Sequence, residues 1–153
     1  MVFFQEVSQN YVLWVAVLSW FVAQTIKFVT SLGINGKLSL SLFVSSGGMP
    51  SSHTSFVVAL ATFLGIRDGF DSMMFALAAV LSAVVMYDAT GVRQQAGKQA
   101  VVINMLIRHL DDPNISLERK LKELLGHTPL QVMAGALLGI AVATSVAIVK
   151  GYI

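Results

Sequence analysis

The stretch 130-LQVMAGALLGIAVATSVAIV-149 decides the fold. It runs for twenty residues without a charged side chain, and about 20 apolar residues in a helix are what crossing the hydrocarbon core of a bilayer requires. Its alanines and glycines are the small residues that let membrane helices approach closely. The rest of the chain agrees. Its 153 residues are 56% hydrophobic and 12% charged, with a mean hydropathy of +0.75. Soluble domains carry roughly a quarter charged residues, so a single soluble core could not hide this much apolar surface. The composition predicts one all-α integral membrane domain spanning 1–153.

Working outward, three further segments read as membrane helices: Tyr11–Leu32, Ser52–Ile66 and Ser72–Tyr87, with the fourth over Pro129–Val149. The second and third fall short of about 20 residues and must borrow flanking polar residues. Between the third and fourth spans lies one long polar section, Gly91–Gly126. Its first half, Gln94–Leu110, reads as helix. Its second half, 116-SLERKLKELLG-126, sets Leu117, Leu121, Leu124 and Leu125 on one stripe, as an amphipathic helical insertion lying in the membrane interface would. The opening MVFFQEVSQN has no basic residue before the first apolar run, so the first helix is expected to be retained rather than cleaved.

Four spans place the 33–51 and 91–128 connections on one face. Those connections hold Lys37, Arg93, Lys98, Arg108, Arg119, Lys120 and Lys122, against Arg67 and Lys150 on the other face. Seven against two predicts that the loop-rich face is cytoplasmic or stromal-equivalent. A net charge of +2 gives no reason to expect nucleic acid as a partner, and the absence of cysteine excludes disulfides and thiolate chemistry.

The same topology gathers four phosphate-handling side chains at one face: Lys27 ends the first span, His53 opens the second, Arg93 follows the third and His127 precedes the fourth. Each has a plainer reading. A histidine at a helix start is often structural, Lys27 can snorkel to the headgroups, and Arg93 can be a positive-inside anchor. Together with the loop 46-SGGMPSSH-53 they say more. Gly47 and Gly48 let the backbone approach an anion, and Pro50 leads into a helix starting near Ser51 or Ser52, whose first-turn N–H groups suit a phosphate. His53 sits in that turn, placed to protonate a leaving oxygen. His127 can be a nucleophile through one ring nitrogen, Lys27 and Arg93 can neutralise phosphate oxygens, and Asp88 can orient His127 or pair with Arg93. Three scattered histidines without clustered carboxylates give no metal ligand set, and no cofactor is called for.

These residues resemble a known family. The motif PSSH at 50–53, and His127 followed by 132-VMAG-135, are similar to signature motifs of the phosphatidic acid phosphatase type 2 superfamily, related to acid phosphatases and vanadium haloperoxidases. GGMPSSHT, 88-DATGVRQQAGKQA-100 and 126-GHTPLQVMAG-135 resemble its divergent, small, integral-membrane branch. The resemblance implies metal-independent hydrolysis of a lipid phosphate through a phosphohistidine. By position, His127 matches the nucleophile, His53 the leaving-group acid, Lys27 the lysine of the first motif and Ser52 a phosphate-binding position. Three departures stand out. Gln131 occupies the place of an aspartate that holds the nucleophile's ring, the nearest arginine before His127 is Arg93, 34 residues upstream, and no Arg-Pro follows Lys27. Four spans also leave little wall around a lipid, which favours a homodimer.

Three functions compete on this evidence: a membrane lipid phosphate phosphatase, a non-catalytic lipid-headgroup binder, carrier or assembly factor that keeps the anion pocket, and a transport subunit. The few charges inside the spans argue against the last.

Overall fold

The computed structural model describes residues 2–35, 48–109 and 126–153. Among them the chain is helical, with no strand: α1 Val2–Gln9, α2 Tyr11–Asn35, α3 Ser52–Asp68, α4 Met73–Thr90, α5 Val92–His109 and α6 Pro129–Lys150. The expected all-α membrane bundle is what forms. Three segments are long and apolar enough to cross a membrane: Tyr11–Leu32, Pro129–Lys150 and the continuous apolar run Met73–Ile107. That last run covers α4 and α5, which Gly91 separates. The amphipathic stretch expected over 116–126 lies outside the described residues, apart from Gly126.

Helix α3, 17 residues long, rises about 25 Å at 1.5 Å per residue, slightly less than the hydrocarbon core. It need not face lipid, because α2, α4 and α6 surround it. Ten of its residues are buried, among them Ser52, Thr54 and Ser55. A central helix enclosed by apolar neighbours can carry hydroxyls only if each finds a partner. Here they do. Ser55 and Ser19 of α2 share a 2.6 Å hydroxyl contact, Thr54 Oγ1 donates to Ser51 Oγ at 3.0 Å, and Ser82 of α4 reaches the Val57 carbonyl at 2.9 Å.

The contact between α3 and α6 is the most extensive between any two helices described. Gly135, Gly139, Ala143 and Ala147 are buried on one stripe of α6. A Cβ built on Gly135 would lie 2.4 Å from the Ser51 carbonyl oxygen, and one on Gly139 would lie 2.7 Å from that of Ser55. Helix backbones touch at this seam with nothing between them, which is how small-xxx-small stripes hold membrane helices together. The apolar core continues below it through Ala59, Phe63, Leu64 and Ala143. At the far end, Tyr152 packs edge-on to Phe63, with ring centroids 5.7 Å apart, and the Lys150 ammonium lies 3.8 Å from the Tyr11 ring centroid. The start of α2 and the end of α6 therefore share one face, and the end of α2, the start of α3, the end of α4 and the start of α6 share the other.

Helix starts follow their capping chemistry. Ser51 caps α3 by accepting from the Thr54 N–H, and Ser72 caps α4 by accepting from Phe75. Thr128 caps α6 in a reciprocal box with Gln131, and Pro129 occupies the first turn, where no N–H is missed.

The seam yields a prediction. Gly135→Ala gains about 1 kcal/mol of helix propensity, yet its methyl meets a backbone oxygen that no rotamer can move aside. The net expectation is a loss of about 1–3 kcal/mol, typical of overpacking, read as a lower melting temperature of the purified protein in detergent. Ala141→Leu, on the exposed side of α6, should melt like the parent. Equal melting of Gly135→Ala and the parent would contradict the packing described.

Candidate active site

The site is built at the face where α2 ends and α3 and α6 begin. Lys27 lies two turns before the end of α2 and is 6% exposed. Its ammonium donates to Ser52 Oγ at 3.0 Å, in the first turn of α3. Gly48, with φ of 93°, sits against it: a Cβ there would be 3.6 Å from Lys27 Cδ. Glycine suits this position because the left-handed region is open to it and costly for side-chain-bearing residues. Among the described residues the Lys27 ammonium has no carboxylate partner. A buried cation without a carboxylate partner is expensive, and an anion at the α3 N-terminus would relieve it.

His127 is buried, 5% exposed. Its backbone N–H donates to the Ala89 carbonyl at the end of α4 at 3.1 Å, and its Nδ1 lies 3.2 Å from Gln131 Oε1. Gln131 is itself fixed: its Oε1 accepts from the Thr128 N–H at 3.0 Å, and its carbonyl accepts from the Ser51 N–H at 3.0 Å. The capping box settles which amide atom faces the ring. A backbone N–H can only donate, so the atom it meets is the oxygen, and His127 Nδ1 must then be the donor. In the neutral ring the lone pair is left on Nε2. Gln131 thus fixes the tautomer of His127 without bringing a negative charge.

His53 lines a groove of about 500 Å³ between α2, α3 and α4 and is exposed at one end of it, where Asp88 also lies; Trp20, Phe56, Val84 and Val85 form much of the remaining wall. His127 is not among the groove's lining residues. The structure therefore brings Lys27, Ser52 and Gly48 together, sets His127 on Gln131, and groups Asp88 with His53. Asp88, expected to orient His127 or pair with Arg93, lines the groove wall together with His53. Gly47 lies outside the described residues, as does the Arg93 side chain, although its backbone belongs to the first turn of α5. The chain segments converge as the span count predicted, since Ser51 bonds to Gln131 and His127 to Ala89.

Sequence reasoning missed several participants. Thr128 shows as a capping-box threonine three residues before Gln131. Gly135 and Gly139, which bring α6 against Ser51 and Ser55, show as a four-residue repeat of small residues. Trp20 carries no sequence signal, because only the rotation of α2 turns it to the groove.

Comparison with known proteins now decides the lineage. The model of the divergent PAP2 family matches residues 8–142. This chain belongs to the divergent PAP2 family. The uncharacterized membrane protein YuiD of Bacillus subtilis (strain 168) is 41% identical over 146 residues, covering 88% of this chain and 92% of that protein. No solved structure matches. Membership in the divergent PAP2 family agrees with the motif resemblance read from GGMPSSHT and GHTPLQVMAG, and the relative agrees with a membrane location. Within this divergent PAP2 chain, the neutral Gln131 meets the His127 ring without bringing a charge.

The tautomer can be measured. Histidine-selective 15N NMR at pH above the imidazole titration should show His127 protonated at Nδ1 in the parent, and Gln131→Leu should lose that preference. A parent ring protonated at Nε2 would overturn the assignment.

Proposed function

We propose that this protein is a membrane phosphatase that hydrolyses the terminal phosphate of a lipid phosphate or diphosphate. The observation that carries the reading is the buried Lys27 ammonium, bonded to Ser52 at the mouth of α3 and without a carboxylate among the described residues. Family membership supports the same chemistry.

In this reading the phosphate sits on Lys27, Ser52, the Gly47–Gly48 backbone and the first-turn N–H groups of α3, with the Arg93 guanidinium available for two of its oxygens. His127 Nε2 attacks phosphorus while Gln131 holds Nδ1–H. The N–P bond forms as the P–O bond to the lipid breaks. His53 gives its proton to the departing oxygen. Water, losing a proton to the now neutral His53, then attacks phosphorus, and the N–P bond breaks to release inorganic phosphate. In this reading charge neutralisation falls to Lys27 and Arg93. The excess of lysine and arginine in the 33–51 and 91–128 connections sets this face toward the cytoplasm or its equivalent.

One observation favours a second reading, a lipid-phosphate binder without turnover. Gln131 supplies no charge to stabilise an imidazolium or phosphohistidine.

Purified protein in detergent should release phosphate from lipid phosphates, keep that activity in EDTA, and lose it to vanadate, which mimics the five-coordinate phosphorus. His127→Ala should abolish release. His53→Ala should lower it by about 10²–10⁴-fold, the usual contribution of a general acid, and by less with p-nitrophenyl phosphate, whose leaving group needs no proton. Binding of lipid phosphate without release at any pH would select the second reading. Full activity in His127→Ala would remove the mechanism.

A further inference from the structure

We infer that the groove between α2, α3 and α4 selects phosphates esterified directly to a hydrocarbon chain, a prenyl or alkyl phosphate, over those carried on a diacylglycerol. The inference rests on the phosphatase site proposed above and names its substrate class.

The argument is one of depth and polarity. His53 and Asp88 mark the groove's polar end. One helical turn further in, the walls are Phe56 and Val57 on α3 and Val84 and Val85 on α4, with Trp20 across from them on α2. From residue 53 to 57, and from 88 back to 84, is about 6 Å of helix at 1.5 Å per residue. A chain whose phosphate sits at Ser52 and Lys27, with its ester oxygen at His53, therefore meets apolar wall within its first few carbons. In a prenyl or alkyl phosphate those carbons are hydrocarbon. In a phosphatidic acid they are the glycerol and two acyl ester carbonyls, which the hydrophobic wall residues cannot hydrogen-bond and which lose affinity when desolvated there. Charge complementarity sets the orientation, because the Lys27 ammonium, without a carboxylate partner among the described residues, bonds to Ser52, the residue before His53 on α3. A volume of about 500 Å³ is of the size that holds one small ligand rather than a pair of acyl chains.

The two tryptophans of the chain allow a direct reading. Trp14→Phe leaves Trp20 as the one tryptophan, and Trp20 faces the groove. The full chain carrying this change, in nanodiscs, is titrated with a dibromo-octadecyl phosphate and, separately, with a dibrominated diacyl phosphatidic acid. Bromine quenching of Trp20 and phosphate release are followed together. The expected result is saturable quenching by the alkyl phosphate at a mole fraction at least tenfold below that needed for the diacyl lipid. Val84→Phe, which fills the groove, should raise that fraction at least tenfold. Val80→Phe, one turn away and outside the groove, should not, and it reports on folding and insertion. Equal quenching by both lipids, or equal effects of the two substitutions, overturns the inference and identifies the occupant as bulk bilayer lipid. Chain-selective quenching without phosphate release from either lipid leaves the groove assignment standing and removes the phosphatase. Release from both lipids at equal rates without selective quenching does the reverse.

Discussion

The structure depends on two helix backbones touching. Gly135 and Gly139 let α6 rest directly on the Ser51 and Ser55 carbonyls of α3, and that approach brings the start of α6 level with the start of α3. Only at this separation can the Ser51 N–H reach the Gln131 carbonyl. In a bilayer the hydrophobic effect gives helices no reason to associate, since lipid tails are as apolar as their side chains. Close packing and interhelical hydrogen bonds must hold the bundle. The hydroxyls of Ser19, Ser55 and Ser82 supply some of those bonds, each directed from one helix to a group on another.

The residues that terminate the helices are also the residues of the site. Thr128 and Gln131 satisfy donors at the start of α6, as capping requires, and the same amide oxygen meets the His127 ring. Ser51 caps α3 and ties that cap to α6, while Ser52, the next residue, receives the Lys27 ammonium. Helix-end chemistry and phosphate chemistry want the same things: oriented donors, a positive dipole end and short polar side chains. A small chain can thus use one set of atoms for both purposes.

Much of the fold was legible in the sequence because bilayer thickness sets helix length. The spans expected over Tyr11–Leu32, Ser52–Ile66, Ser72–Tyr87 and Pro129–Val149 differ from α2, α3, α4 and α6 by a few residues at their ends. The helix start near Ser51 and Ser52 followed from the proline and the serines. Helix α1 gave no comparable signal, being eight residues long and too short for periodicity to show. The convergence at one face of the segments carrying Lys27, His53, Arg93 and His127 followed from counting spans. What counting could not give was rotation about each helix axis. Whether Trp20 faces lipid or groove depends on how the small-residue stripe of α6 seats the bundle, and a change of one residue turns a side chain by about 100°. The divergent PAP2 family was legible because its motifs lie at helix ends, where spacing survives whatever the packing.

The hydrogen bond from Ser51 to Gln131 has a mechanical corollary. It rigidly gears the first turn of α3 to the first turn of α6, so any occupant that tightens one end must stiffen the other. Linkage makes this reciprocal: whatever tilts α6 at the opposite end, where Lys150 rests on Tyr11, also shifts the start of α3. Bilayer thickness and lateral pressure would then act as effectors of this protein, transmitted through a single amide.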